Sequence, residues 1–305
     1  MTGRHPDPVV GVLMSERPRL INIAYRLLGS VADAEDVVQE AYTRWYTMPP
    51  ERRQDVDLPG AWLTKVATRI CLDQLRSARS RRNSYVGDWL PEPLPERSEW
   101  VSGHAAGGAE DPVDRVTLDE SVTMAFLVVL QSMTPAERVA FVLHDVFRYS
   151  FADVSDILGR TPAACRQLAF SARRRAHASA GSARAADTQA GVIRAFKEAW
   201  DAKDIEALVQ LLDPQAVATA DSGGRVRAAG RPLLGARSIA HHLLDEVSVD
   251  RALSLLERTV NGQPGLVAQV EGVTVAVFAF DVAQGRIRHL WAVRNPEKLR
   301  AWMQR

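Results

Sequence analysis

The 305-residue chain predicts a multidomain protein: two all-α domains, the second a helix-turn-helix, joined by a linker and followed by an α+β domain. Three observations carry that reading. Residues 7–82 and 113–178 hold apolar positions at helical spacing with charged opposite faces. The stretch between them, 83–112, is rich in Pro and Gly and has no helical period. Beyond a short Ala/Ser/Arg-rich connection at 179–187, residues 188–305 read as helices followed by alternating strands with Gly-containing turns.

Composition narrows the class without naming it. With 46% hydrophobic and 25% charged residues the chain has ordinary globular composition. A net charge of +1, from 38 basic and 37 acidic residues, gives no bulk electrostatic pull on nucleic acid. What remains is clustering, with basic runs at Arg69–Arg82 and Arg160–Arg175. Cys71 and Cys165 both fall inside apolar helical patterns, so buried thiols are expected rather than a disulfide framework or a metal site, and no cofactor is implied. No run approaches the ~20 apolar residues of a membrane span, and no apolar signal core is seen near the N-terminus. A cytoplasmic protein without membrane contact is expected.

In the first domain, INIAYRLLGSVADAEDVVQEAYTRWY reads as two helices broken near Gly29 and Ser30. The second runs from about Ala32 to Tyr46, with Val31, Ala34, Val37, Val38, Ala41, Tyr42 and Trp45 in one stripe and Asp33, Glu35, Asp36 and Glu40 opposite. Acids near a helix N-terminus are also stabilising in themselves, which is the purely structural account of that cluster. After a Pro/Arg/Asp-rich loop, the segment from Trp62 to Arg82 begins apolar and ends basic. Its outer side carries Lys65, Arg69, Arg76, Arg79, Arg81 and Arg82. Such a face is either a solvated surface or a track for phosphates and unstacked bases beside Trp62.

Beside Pro91 the linker carries Tyr85, Trp89, Leu90 and Trp100, residues costly to leave in water, and so is expected to dock on something.

In the second domain, Ser150 is suited to N-cap a helix whose buried face is Phe151, Val154, Ile157 and Leu158, and Gly159 supplies the positive backbone angle that ends it. Thr161 and Pro162 start the next helix at once. That helix divides into an inner side, Cys165, Leu168, Ala169 and Ala172, and an outer side, Ala163, Arg166, Gln167, Phe170 and Arg174. Arg and Gln match base edges in the major groove, and Arg160, Arg173, Arg174 and Arg175 flank them as candidate phosphate contacts. An ordinary helical hairpin with a basic face is the competing reading.

In the third domain, TQAGVIRAFKEAWDAKDIEALVQLL reads as two helices, RVRAA as a short strand and GARSIAHHLLDEV as a further helix. LSLLERTV, PGLVAQV, VTVAVFAF and RIRHLWAV then read as an antiparallel meander. Asp221, Asp281, His241, His242 and His289 are acid–base candidates there, and each has a structural explanation, so no catalytic residue is assigned.

Three ordered stretches, DAEDVVQEA (Asp33–Ala41), WLTKVATRICLDQLR (Trp62–Arg76) and the helix-turn-helix, together resemble the extracytoplasmic-function sigma factors of bacterial RNA polymerase over about residues 7–178. The resemblance implies a function: promoter-specific transcription initiation with core polymerase, contacted at the β′ clamp helices and the β flap. It implies that Asp33, Asp36, Gln39 and Glu40 dock on the clamp. It implies that Trp62, Lys65, Arg69, Asp73, Arg76, Arg79, Arg81 and Arg82, with the loop Glu51–Leu58, melt and hold single-stranded DNA at the minus-ten element. Arg160, Thr161, Ala163, Arg166, Gln167, Phe170, Arg173 and Arg174 would read the double-stranded minus-thirty-five element. Many relatives carry asparagines where this chain has Arg69 and Asp73, so the captured base stays open. Pairing of Asp73 with Arg69 is the competing reading.

YVGDWLPEPL further resembles the linker signature of a subgroup bearing a SnoaL-like extension, a curved-sheet cone with an internal cavity. That subgroup's two C-terminal motifs stand here as Asp221-Ser222-Gly223-Gly224-Arg225 and Asn295-Pro296-Glu297-Lys298-Leu299. The resemblance implies that these regions tune sigma activity. Two alternatives remain at this stage: a DNA-binding regulator answering to a small molecule in the C-terminal cavity, or a SnoaL-like isomerase or cyclase fused to a DNA-binding module.

Overall fold

The computed structural model describes residues 8–82, 88–95, 122–179, 186–224, 231–249 and 253–303. It divides into two compact units, Met1–Arg81 with Val129–Ala178, and Arg82–Val128 with Ser179–Arg305.

The first unit is all helical. Helix α1 (Pro8–Leu28) ends at Gly29, whose φ of 76° is open to glycine at no steric cost. Ser30 then caps α2 (Val31–Thr47), accepting from the Asp33 amide. Ala34, Val37, Val38, Ala41 and Trp45 are buried, as the spacing requires. Within the segment read as a loop lies a short helix, α3 (Pro50–Gln54), with Pro at its first position. Helix α4 (Pro59–Arg82) buries Leu63, Ala67, Ile70, Cys71 and Leu75.

Past α5 (Met124–Gln131), Thr134 and Glu137 form a reciprocal capping box at the start of α6 (Pro135–Phe141), which runs on as a π-helical turn at Val142–Val146. Ser150 and Asp153 form a second capping box for α7 (Phe151–Leu158), which ends at Gly159 with φ 64°. Helix α8 (Pro162–Ser179) follows, its first turn capped by the Thr161 hydroxyl. The Arg138 guanidinium, almost fully buried, donates to the Leu27 carbonyl at 2.7 Å, tying α6 to the end of α1. Burial lowers the Arg26 pKa to about 10, and its guanidinium lies over the Phe147 ring at 5.4 Å.

The second unit is built on a six-stranded sheet of order β2-β1-β6-β5-β4-β3. Helices α9 (Ala186–Asp201), α10 (Ile205–Leu211) and α11 (Ala236–Val249) pack with one face of it around Phe196, Trp200, Phe278 and Phe280, whose rings meet edge to face at 5.2–5.8 Å. β3 (Leu253–Val260), β4 (Gln263–Val270), β5 (Val273–Ala283) and β6 (Arg286–Val293) form the expected antiparallel meander. The sheet as a whole is mixed, because β1 (Leu212–Asp221) joins β6 in parallel. The sequence pattern predicts no strand at β1; Asp213-Pro214-Gln215 interrupts its alternation, and its pairing with β6 comes from far along the chain. The strand read at RVRAA lies outside the described residues, while β2 is the dipeptide Leu233–Leu234. A last short helix, α12 (Arg300–Met303), closes the described chain.

The other face of the sheet is also covered. Val260, Val267, Val277, Ala279, Trp291 and Val293 cluster there with Leu90 of the linker, Met124 of α5 and Leu299. Segments that precede the third domain in sequence thus complete its hydrophobic packing.

Candidate nucleic-acid interface

Helix α8 is seated by its polar residues. Ser171 donates to Glu137 at 2.6 Å, the Arg173 Nε donates to Asp145 at 2.6 Å, and Arg175 donates to the Ser132 carbonyl at 2.9 Å. Burial alone would raise the Glu137 pKa. The hydrogen bonds from Ser171 and Thr134 and the Arg175 charge outweigh it and hold the carboxyl below its usual range. With Cys165, Ala169 and Ala172 fully buried beneath, Arg160, Thr161, Ala163, Arg166, Gln167, Phe170 and Arg174 are exposed. Phe170 is 56% exposed, and the Arg166 guanidinium lies 5.8 Å from the Phe151 ring centroid. A face with two forked polar groups, one large apolar ring and flanking cations suits a major groove.

On α4, Trp62 is half-buried against Trp45 with ring centroids 5.2 Å apart. Asp73 pairs with Arg76 at 3.4 Å, and not with Arg69 as the competing reading had it. Arg69 instead reaches α7: its Nη2 donates to the Asp156 carbonyl at 2.8 Å and its Nε to the Ile157 carbonyl at 3.3 Å. Lys65 forms an ion pair with the Asp156 carboxylate, which lowers the Asp156 pKa. The side chains of Arg79, Arg81 and Arg82, and the whole of Tyr85, lie outside the described residues. On α2, Asp33, Asp36, Gln39 and Glu40 are all exposed on one side, with Glu40 paired to Arg44.

The remaining motifs converge on one buried ion pair in the second unit. Lys298 Nζ donates to Asp221 Oδ2 at 2.6 Å, and also to the Leu90 carbonyl; the same carboxylate oxygen accepts from the Leu90 amide at 2.8 Å. The Lys298 ammonium lies 3.9 Å from the Trp89 ring centroid, adding a cation–π contact. Asp221 also accepts from the Gly223 amide at 3.0 Å, and its carbonyl accepts from the amides of Arg294 and Asn295. A Cβ on Gly223 would stand 2.6 Å from Asn295 Nδ2, so the two C-terminal motifs are in direct contact and only glycine fits. Pro91 is buried, Gly224 and Pro296 are exposed, and Leu299 is buried beside Leu90.

Two residues of this arrangement escaped the sequence reading. Asn261 exchanges backbone and side-chain hydrogen bonds with Leu94, and Trp302 Nε1 donates to the Pro93 carbonyl at 2.9 Å. The NGQPG stretch around Asn261 carries only a turn signal, and a terminal Trp has none.

The acid–base candidates are scattered. Asp221 is committed to Lys298, and His241 is exposed. His289 lies 3.3 Å from Asp281 and stacks on Trp291, a residue of the linker-covered sheet face. His242 lines a cavity of about 30 Å³ with Leu243, Phe278 and Arg294, room for about one water. Among the described residues no group of three or more metal-ligating side chains forms a site, and no helix is long and apolar enough to cross a membrane.

Residues 12–81 match the family model for sigma-70 region 2, and residues 123–175 that for sigma-70 region 4. The chain belongs to the extracytoplasmic-function sigma factors, non-catalytic subunits that direct RNA polymerase to initiate transcription. It is similar along nearly its whole length to the sigma factor SigJ of Mycobacterium tuberculosis, at 37% identity over 300 residues, covering 92% of this chain and 90% of that protein. It is also similar to the probable sigma factor SigI of the same organism, at 34% identity over 294 residues and 96% and 95% coverage. The crystal structure of SigJ aligns with a TM-score of 0.72 at 33% identity, covering 96% of this chain and 98% of that one.

Proposed function

We propose that the sigma activity is divided along the chain as 7–82 for core polymerase and the minus-ten element, 113–178 for the minus-thirty-five element, and 188–305 as a built-in regulator of SnoaL-like cone type. The observation that carries the DNA assignment is the exposure of Arg166, Gln167 and Phe170 on one side of α8 above a fully buried Cys165, Ala169 and Ala172. The exposed acids of α2 supply a docking face for the β′ clamp helices, and the helix-turn-helix domain adds a contact to the β flap. Lys65, Arg69 and Arg76, beside Trp62, give α4 the cations and the stacking ring that a melted strand requires. Run-off transcription with core polymerase tests the division. Arg166→Ala or Gln167→Ala is expected to cost ~1 to 3 kcal/mol of discrimination at the minus-thirty-five element. Unchanged sequence preference would remove these residues from the reading. Charge reversal at Asp36 and Glu40 is expected to abolish core binding while the circular dichroism spectrum is kept.

The regulatory part acts on the connection between the two sigma domains. Roughly forty residues separate Arg82 from Met124, and free of restraint they would reach about 140 Å. The Asp221–Lys298 pair holds Leu90, Asn261 holds Leu94, and Trp302 holds Pro93. Seven residues separate Arg82 from Leu90, a span of at most about 25 Å. A domain that shortens this tether sets how far the promoter-reading elements separate. Loosening the clamp by Lys298→Ala is expected to change the run-off rate without changing which promoter is chosen. Equal rates for variant and wild type would count against the clamp as a regulator.

A further inference from the structure

Arg166 is held differently from the arginines that seat α8. The donors of Arg173 and Arg175 are taken by Asp145, Ser132 and Glu137. Arg166 is exposed, and among the described residues its N–H groups meet no acceptor; its guanidinium lies over the Phe151 ring, 5.8 Å from the centroid. Stacking engages the flat face of a guanidinium and leaves the N–H groups in its plane unused. Those are the donors that a bidentate contact with guanine O6 and N7 requires.

Phe151, the first residue of α7, is itself held in place. Its spacing predicts burial with Val154, Ile157 and Leu158, yet those three are buried and Phe151 is only half-buried. The π-helical turn Val142–Val146 brings the His144 ring against it, with centroids 3.8 Å apart and planes 26° apart. His144 is oriented in turn by the Tyr149 carbonyl, 2.8 Å from Nδ1, a bond in which Nδ1 carries the proton and donates. Arg148, at φ 62°, bends the chain between them so that Phe151 returns to the turn it has just left. The neighbour of His144 in that turn, Asp145, takes Arg173, which stands seven residues or about two helical turns from Arg166 along α8. One irregular turn therefore both seats α8 and places the ring beneath its exposed arginine. A long side chain loses rotamer freedom when it meets a base, and one already held over a ring has less to lose. We propose that Phe151, braced by His144, is a positioning residue for promoter recognition. It holds the Arg166 guanidinium with its edge to the major groove and so sets a preference for guanine at the base pair Arg166 reads. The proposal rests on the minus-thirty-five reading of α8.

Transcription by core polymerase with the full chain, from a promoter library randomised over the minus-thirty-five element and marked by transcribed barcodes, reads the preference at every position at once. Arg166→Ala is expected to erase a guanine preference at one position. Phe151→Leu and Phe151→Met keep an apolar side chain and remove the ring. Both should weaken the preference at that same position roughly two- to fivefold, the range of an exposed cation–π contact, and leave the other positions as in wild type. Phe151→Tyr keeps the ring and should keep the preference. In the Arg166→Ala background, Phe151→Leu should change nothing further at that position. Thermal midpoints identify a variant that fails to fold, and its companion then carries the comparison. With the Arg166→Ala effect in place, the proposal is overturned if the Leu and Met variants match wild type at that position, if they lose preference evenly at all positions, or if Phe151→Tyr is as impaired as they are. Additive effects in the double variant would overturn it as well. An Arg166→Ala variant that alters no position would instead remove the reading of α8, and the role of Phe151 with it.

Discussion

Asp221 and Lys298 make the most consequential residue-level contact of the second unit, because three segments distant in sequence depend on one carboxylate. A buried ion pair adds little net stability over an apolar pair, but removing one partner strands the other and costs about 3–5 kcal/mol. Lys298→Ala should therefore free the linker, and chymotryptic cleavage after Trp89 should rise well above wild type in a timed digest. Resistance equal to wild type would show that Pro93–Trp302 and Leu94–Asn261 suffice. Gly223→Ala should act at the same place for a different reason. Its Cβ meets Asn295, and φ 62° adds a left-handed penalty of about 1–2 kcal/mol. A lower thermal midpoint with enhanced linker cleavage is the expected outcome. The chemical character of these residues was legible in sequence through the subgroup motifs; that they share one carboxylate was not, since spacing says nothing of which side chains meet across 131 or 77 positions.

At the level of elements, the helix-turn-helix was almost fully legible, because caps, Gly159 and the inner stripe of α8 are local signals that the packing merely completes. What spacing left unsorted was the division of labour among the arginines. Arg173 and Arg175 seat α8 on Asp145, Glu137 and Ser132, whereas Arg166 and Arg174 stay exposed. The seat through Glu137 carries a pH dependence. Its carboxyl titrates below the ordinary value of about 4.3, so its stabilisation is fully present above that value and is lost as pH falls through the lowered one. Glu137→Gln should make the fold less stable at neutral pH and flatten the loss of stability on acidification, measured by urea unfolding at stepped pH. A wild-type-like slope in the variant would assign the acid sensitivity elsewhere. Strand β1 is the opposite case, an element with little local signal that exists because β6 accepts it in parallel.

On the scale of the whole molecule, the linker and the start of α5 are part of the third domain's packing. Deleting that domain therefore does more than remove a regulator. A chain truncated after Ala185 leaves Leu90 and Met124 without the sheet face that buries them, and it should aggregate or bind a hydrophobic dye more than the full chain. Point variants at Lys298 or Asn261 are the cleaner probes of regulation. The sequence by itself determined that helical segments precede a sheet-containing one, the sigma family and the faces of α2, α7 and α8, because caps, periods and local motifs act within a few residues. Only the tertiary structure decided that Arg69 and Lys65 face the end of α7 and not Asp73, and that the linker lies on the outer sheet face. Both depend on contacts between segments far apart in the chain, where geometry and the need to satisfy buried polar groups choose among partners that the sequence leaves equivalent.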